Sequence, residues 1–230
     1  MMADHKELER RADAALVDNS TPLAKAELRR QMLALRTAIT PEQRVQWNRD
    51  IRFALLTSER WMQARNILAY FAMPDEVATL GLLSNALADG KRLALPRCVP
   101  REKRFEVVAV NDLVRDLEMS AFRGLHEPAG SFPVWDRETD GELDLVIVPG
   151  VAFDRSGHRL GFGAGMYDRF FADWEKQGPA SQQGTHPGPW RLALAFSLQV
   201  VEHLPADPHD QPVDAILTEQ GWMNLDKTES

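Results

Sequence analysis

Residues 144–168 read DLVIVPGVAFDRSGHRLGFGAGMYD, and this stretch decides the fold. Leu143, Leu145, Val146, Ile147 and Val148 make a short apolar run, the composition of a strand buried on both faces in a parallel sheet. Pro149-Gly150 ends it, because proline has no N–H for a ladder and glycine accepts any turn. Arg155, His158 and Arg159 follow, then glycines at alternate positions, Gly161, Gly163 and Gly165. Tyr167 and Asp168 come next, and Phe170, Phe171 and Trp174 carry a helical pattern away. A strand, a glycine loop with bare backbone N–H groups and a helix N-terminus form a phosphate site. Alternating glycines alone suit a mobile turn equally well. The flanking charges favour binding, since phosphate attracts cations and a phosphate-bound Mg²⁺ takes aspartate oxygens. Without a Gly-Lys-Ser/Thr, the loop is not a Walker loop, nor is it the dinucleotide fingerprint.

Upstream, Ser20-Thr21-Pro22 reads as a helix start, and Leu28, Met32, Leu35 and Ile39 repeat at helical spacing. Lys25 and Arg29 are four residues apart on one face of that helix, which by itself also describes a solvated basic face. Thr40-Pro41-Glu42-Gln43 opens a second helix with a capping box, continued by Trp47, Ile51, Ala54 and Leu55. Strands are expected over 67–73, 92–99, 105–110, 191–197 and 213–218, with a helix over 79–89 between the first two. The spacing predicts an α/β fold, an open, mostly parallel sheet with helices on both faces in a Rossmann-like three-layer architecture. Such sheets bind ligands beyond the carboxyl ends of their strands, which here carry residues 74–76, 149–165 and the loop holding Asp210.

At 230 residues the expectation is a single domain over 21–230 behind a flexible extension, 1–20. The polar stretch 177–189 reads as a surface loop. A formal net charge of −7 argues against nucleic-acid or anionic-membrane partners, so an anionic ligand must be held by a local cluster. One cysteine, no apolar run of membrane-spanning length and no signal-peptide core predict a cytoplasmic protein. The six histidines lack zinc-ligand spacing, and no Gly-x-Ser-x-Gly elbow is present. Cys98 in its apolar strand reads as a structural thiol, and Glu76 in a turn reads by itself as a solvated acid.

Together, several segments resemble the 5-formyltetrahydrofolate cyclo-ligase family. They are Lys25-Ala-Glu-Leu-Arg29, Met73-Pro-Asp-Glu-Val-Ala-Thr79, Leu95-Pro-Arg97, Gly124-Leu-His-Glu-Pro128 and Val148-Pro-Gly-Val-Ala-Phe-Asp154. Arg159-Leu-Gly-Phe-Gly-Ala-Gly-Met-Tyr-Asp168 is the most specific, and Leu194-Ala-Phe-Ser197 through His209-Asp210 to Thr218-Glu219 completes the order. The resemblance implies ATP-dependent closure of 5-formyltetrahydrofolate to 5,10-methenyltetrahydrofolate. It implies Lys25, Arg29 and Arg159 on the ATP phosphates, with Lys25 and Arg159 catalytic. It also implies that backbone from Gly161 through Phe162, Gly163, Ala164, Gly165 and Met166 to Tyr167 cradles the triphosphate. Asp168 and Asp210 would hold Mg²⁺, and Phe71, Glu76, Phe162, Met166 and Tyr167 would meet the folate. The partners are then two small molecules, and a monomer is expected.

Two departures bear on affinity. Met166 stands where the family usually has an aromatic, and Phe162 and Ala164 replace a basic side chain some members carry, leaving Arg155, His158 or Arg159 to compensate. A non-catalytic folate- or nucleotide-binding relative is the alternative, marked by loss of Lys25, Asp168 or Asp210, all present here. A sugar-phosphate isomerase or CoA-transferase type enzyme on a similar sheet would need no ATP.

Overall fold

The computed structural model describes residues 22–120, 124–176, 188–223 and 225. The expected extension over 1–20 and most of the 177–189 loop lie outside the described residues.

The main sheet contains β1 (Asn66–Leu68), β2 (Arg92–Val99), β3 (Arg104–Val110), β6 (Leu145–Val148), β9 (Trp190–Leu194), β11 (Ala215–Thr218) and β12 (Gly221–Met223). These seven strands lie in the order β12-β11-β9-β6-β1-β2-β3. The pairings from β11 to β2 are parallel, and β12 and β3 join the two edges antiparallel. Register explains why the strands read as continuous apolar runs. Ile67, Leu145, Ile147, Leu192, Leu194 and Leu217 face one layer, whereas Leu68, Val146, Val148, Ala193 and Ile216 face the other. Helices α2 (Pro41–Leu56), α3 (Glu59–Gln63) and α4 (Leu80–Ala88) cover the first face through Trp47, Ile51, Leu55, Trp61 and Leu83. Helix α6 (Met166–Lys176) covers the second through Phe171 and Trp174. The three layers expected from the sequence are therefore present.

The capping box at α2 is formed as read. The Thr40 hydroxyl accepts from Gln43 N–H at 3.2 Å, and the Gln43 side chain accepts from Thr40 N–H at 3.1 Å. Helix α1 (Pro22–Thr37) packs instead on a small second sheet, β10 (Val200–Val201), β7 (Ala152–Asp154) and β8 (Arg159–Leu160), through Leu28 and Met32. A hairpin of β4 (Leu117–Met119) and β5 (His126–Pro128) packs beside β2, and the short α5 (Arg137–Asp140) precedes β6.

Several expected strands are shorter than their apolar runs. The ladder of β1 ends at Leu68, with one further bond from Ala69 N–H to Ala94 C=O at 3.0 Å. Residues 69–73 stay apolar because they leave the sheet to form part of a cavity wall. Beyond β9, Ala195 keeps one bond from its N–H to Leu217 C=O at 3.1 Å, and Phe196 lies past the end of the strand yet remains buried.

The topology fixes where that cavity forms. From β1 the chain crosses through α4 to β2 on one side, and from β6 it crosses through α6 to β9 on the other. The winding reverses between neighbouring β1 and β6, and the segments leaving their carboxyl ends part to leave a crevice.

Candidate active site

A cavity of about 320 Å³ opens at that reversal. Tyr70, Phe71, Met73 and Glu76 reach it from beyond β1, and Pro149 from beyond β6. Leu125, His126 and Glu127 come from β5 and the turn before it, and Lys25 and Arg29 come from α1. The glycine loop lines it from Arg159 through Gly161, Phe162, Gly163, Ala164, Gly165, Met166 and Tyr167 to Asp168. The loop holding Asp207, His209 and Asp210 completes it. Every site residue inferred from the sequence thus reaches this one cavity.

Lys25 and Arg29 do not form a solvated basic face. The Lys25 side chain is only 19 % exposed, and its Nζ donates to Asp207 Oδ2 at 2.6 Å and Asp210 Oδ2 at 3.2 Å. Burial alone lowers an ammonium, but these two carboxylates outweigh it and hold Lys25 above its ordinary pKa. Its hydrogen bond in turn holds Asp207 below the usual carboxylate range. Arg29 Nε donates to Gly161 C=O at 2.6 Å, which ties α1 to the glycine loop. Burial lowers the Arg29 pKa, yet a guanidinium remains cationic across the working pH range.

The loop's shape depends on its glycines. Gly163 has φ of 96° and Gly165 of 62°, a region L side chains enter at a cost. A Cβ at Gly163 would also lie 3.7 Å from the Arg29 guanidinium carbon, so this backbone passes close under a cation. Arg169 holds the far side by donating to the Ala164 carbonyl and, through Nε, to Lys103 C=O at 2.8 Å.

Arg159 Nη2 donates to Asp168 Oδ1 at 2.8 Å, and the same oxygen accepts from Gln211 N–H at 3.1 Å. That backbone bond brings Asp168 beside the loop carrying Asp210. Arg159 also lies over the Tyr167 ring, 5.3 Å from its centroid. Burial pushes the Tyr167 hydroxyl pKa up, so it stays protonated, and that hydroxyl has no hydrogen-bond partner. Of the cations considered as compensation for Phe162 and Ala164, only Arg159 lines the cavity. Arg155 is exposed, and His158 Nδ1 pairs with buried Asp154 at 3.0 Å.

The Phe71 ring lies 4.8 Å from His126, giving the wall beyond β1 a flat aromatic face. Glu76 is buried at 7 % exposure rather than solvated, and its Oε2 accepts from Met73 N–H at 2.9 Å. Its Oε1 lies 4.0 Å from Arg36, a residue the sequence reading passed over. Arg36 is 1 % exposed, donates to Asp75 Oδ2 at 2.6 Å and lies over Phe162, 5.7 Å from the ring centroid. A signal for it was available: Arg36 continues the buried line Leu28, Met32 at a spacing of four, and a cation on an apolar stripe needs a buried partner. Cys98, expected to be only structural, also lines the cavity. Asp207 was missed because nothing local distinguishes it from a surface acid, and Glu127 lies inside the 124–128 segment but was given no role of its own.

Ligand atoms of Asp207, His209 and Asp210 lie within 4.8 Å of one another, the grouping among the described residues able to hold a cation. Two carboxylates suit a hard ion such as Mg²⁺, which takes oxygen ligands and keeps several waters. Asp168 stands outside this group. No helix among the described residues is long and apolar enough to cross a membrane.

The family model of the 5-formyltetrahydrofolate cyclo-ligase family matches residues 22–219. The 5-formyltetrahydrofolate cyclo-ligase of Escherichia coli is 30 % identical over 183 residues, covering 80 % of this chain and 93 % of that enzyme. The mouse enzyme of the same name is 27 % identical over 208 residues, covering 90 % of this chain and 97 % of its own. The solution structure of Aquifex aeolicus 5,10-methenyltetrahydrofolate synthetase aligns with a TM-score of 0.70 at 30 % identity, covering 90 % of this chain and 95 % of that one.

Proposed function

The chain belongs to the 5-formyltetrahydrofolate cyclo-ligase family, and from that premise we propose that it closes 5-formyltetrahydrofolate into 5,10-methenyltetrahydrofolate at the expense of ATP, with Mg²⁺ as cofactor. The observation that carries this is the meeting of Lys25, Arg29 and Arg159 with a glycine loop and an aspartate loop in one cavity that also holds Phe71 and Glu76.

A formamide oxygen is a weak nucleophile and a poor leaving group. Transfer of the γ-phosphoryl group to it converts it into a leaving group. N10 of the same folate then attacks the formyl carbon and gives up its proton to solvent, and cleavage of the C–O bond with departure of phosphate leaves the methenyl bridge. The attack is intramolecular, so holding the folate in a reactive conformer supplies much of the acceleration. No enzyme nucleophile is required. Lys25 and Arg159 are proposed to neutralise charge on the transferring group, with Arg29 and the N–H groups of 159–167 holding the triphosphate. Asp210, with Asp168 beside it, would hold Mg²⁺, which when bound supplies charge neutralisation on the phosphates. Phe71 offers the pterin a flat face, and Phe162, Met166 and Tyr167 form the wall shared between the two substrates.

The pairing of Lys25 with Asp207 and Asp210 gives the binding step its character. A triphosphate takes over the lysine and leaves the carboxylates free for the cation, so nucleotide and metal load together. The test mixes purified protein with 5-formyltetrahydrofolate, ATP and Mg²⁺ and follows the near-ultraviolet absorbance of the methenyl product. A signal that requires both ATP and Mg²⁺ is expected. Turnover without nucleotide would remove the phosphorylation step, and folate binding without turnover would make the protein a non-catalytic relative.

A further inference from the structure

Among the described residues lining the cavity, Glu127 stands apart. It lies in the middle of β5 at 7 % exposure, and its Oε1 is enclosed with no hydrogen-bond partner. The strand's position is well fixed. Leu117 pairs with Pro128 and Met119 with His126, so Glu118 is the residue opposite Glu127. Glu118 faces solvent and spends its carboxylate on Gly130 N–H at 3.2 Å. Glu127 is held inward, where a carboxylate oxygen without a donor costs about 1–3 kcal/mol or more.

The other buried glutamate does not share this condition. Glu76 has Met73 N–H on one oxygen and Arg36 4.0 Å from the other. The two remaining enclosed polar atoms on the cavity wall are Arg159 Nε and the Tyr167 hydroxyl. Arg159 Nε can only donate, and the Tyr167 hydroxyl is an O–H held protonated by burial. Glu127 is therefore the enclosed carboxylate on this wall with an oxygen that has no donor, next in sequence to His126, whose ring lies against Phe71.

We propose that Glu127 recognises the 2-amino and N3–H edge of the pterin ring, an assignment that rests on the cyclo-ligase reading above. That edge presents two parallel N–H donors in one plane, which a carboxylate accepts as a bidentate pair. An aromatic face beside it fixes the plane in which the ring must lie. Glu127 is thus a specificity-determining residue that sets the orientation of the pterin, while the formyl group and N10 point to the phosphate loop. The unpartnered oxygen is the counterpart of that role, since a buried acceptor that costs stability recovers it when a ligand donates to it.

Glu127→Gln preserves shape and removes the charge. It is expected to raise the thermal midpoint by about 2–5 °C, because an unpartnered neutral amide costs less to bury than an unpartnered carboxylate. Equilibrium binding of 5-formyltetrahydrofolate is expected to weaken about 10–100-fold, with the KM for ATP within about 2-fold of wild type. A 2-desamino analogue of the folate completes a double-mutant cycle. Wild type should bind it far more weakly than the natural folate, and Glu127→Gln should bind the two within about 3-fold. A lower melting temperature or failure to fold makes Glu127 structural and overturns the proposal. Equal discrimination by the two proteins overturns it as well, and so does wild type that does not distinguish the ligands. Wild type that binds no 5-formyltetrahydrofolate instead removes the cyclo-ligase reading itself.

Discussion

On the α1 side of the cavity each cation has a partner: Lys25 has Asp207 and Asp210, Arg159 has Asp168 through Nη2 while its Nε has none, and Arg29 has the Gly161 carbonyl. On the β5 side Glu127 is buried with an open oxygen. The two walls therefore prepare for ligands in opposite ways. The α1 wall stores its cations in ion pairs and must exchange partners when an anion arrives. The β5 wall carries an unmet hydrogen-bond acceptor and needs only to be filled. Exchange tolerates ligands whose charge varies, as a nucleotide's does between substrate and product. A preformed acceptor discriminates by geometry, which suits a rigid ring system.

The largest test of this contrast is Lys25→Ala. Loss of the cation is expected to lower kcat/KM for ATP on the order of 10²–10³-fold, the scale of removing one donor from a developing anion. Equilibrium binding of 5-formyltetrahydrofolate should stay within about 3-fold of wild type, because the folate wall does not use this lysine. Equal damage to both substrates in steady-state kinetics and folate titration would show that the walls are not separate.

Asp210→Ala comes next. The Mg²⁺ concentration for half-maximal rate is expected to rise on the order of 10–100-fold. A magnesium titration identical to wild type would take Asp210 out of the metal site. Without Asp210, Lys25 keeps only its bond to Asp207, so the ATP response should move as well.

Arg36→Met tests the buried support beneath the folate wall. Arg36 donates to Asp75 and lies 4.0 Å from Glu76, so its removal leaves buried carboxylate charge uncompensated. A loss of about 3–5 kcal/mol in denaturant unfolding is expected. The KM for 5-formyltetrahydrofolate should rise while that for ATP changes little. A neutral substitution would mean that the apolar surroundings, not the ion pair, hold residues 73–76 in place.

The parts legible in the sequence are those whose signal is local. Leu145–Val148, the Pro149-Gly150 stop, the glycine loop and the capping box of Thr40 and Gln43 each act within a few residues, and each stands where it was expected. Strand lengths were overestimated because burial, not pairing, keeps a run apolar: Tyr70 and Phe196 are buried beyond the ends of their strands. The second sheet escaped notice because β8 and β10 are two residues long, below the length at which alternation exists as a pattern. β12 was missed for a related reason, since it follows β11 after a tight turn at an exposed edge. The site divides similarly. Residues inside the motifs were readable, but Asp207 acts on Lys25 across 182 positions of chain, and no local pattern encodes such a pairing.

The finest test of the contrast is Asp207→Asn, because it removes a storage partner rather than a binding group. Asp207 is about half exposed and its bond to Lys25 is screened by solvent, so little global stability depends on it. Its lowered pKa means that the pairing is present above the ordinary carboxylate range and is lost as pH falls through the folded-state value. Lys25, with its pKa raised, keeps its contribution below its unfolded value near 10.5 and loses it only as pH rises beyond that. At neutral pH both partners are charged, and ATP must compete with Asp207 for the ammonium. Removing that competitor should lower the KM for ATP about 2–5-fold while leaving folate binding unchanged. The advantage should shrink at acid pH, where Asp207 in the wild type begins to accept a proton. A higher KM at every pH would mean that Asp207 positions Lys25 for the phosphates instead of holding it in reserve, and the α1 wall would then be preformed like the β5 wall.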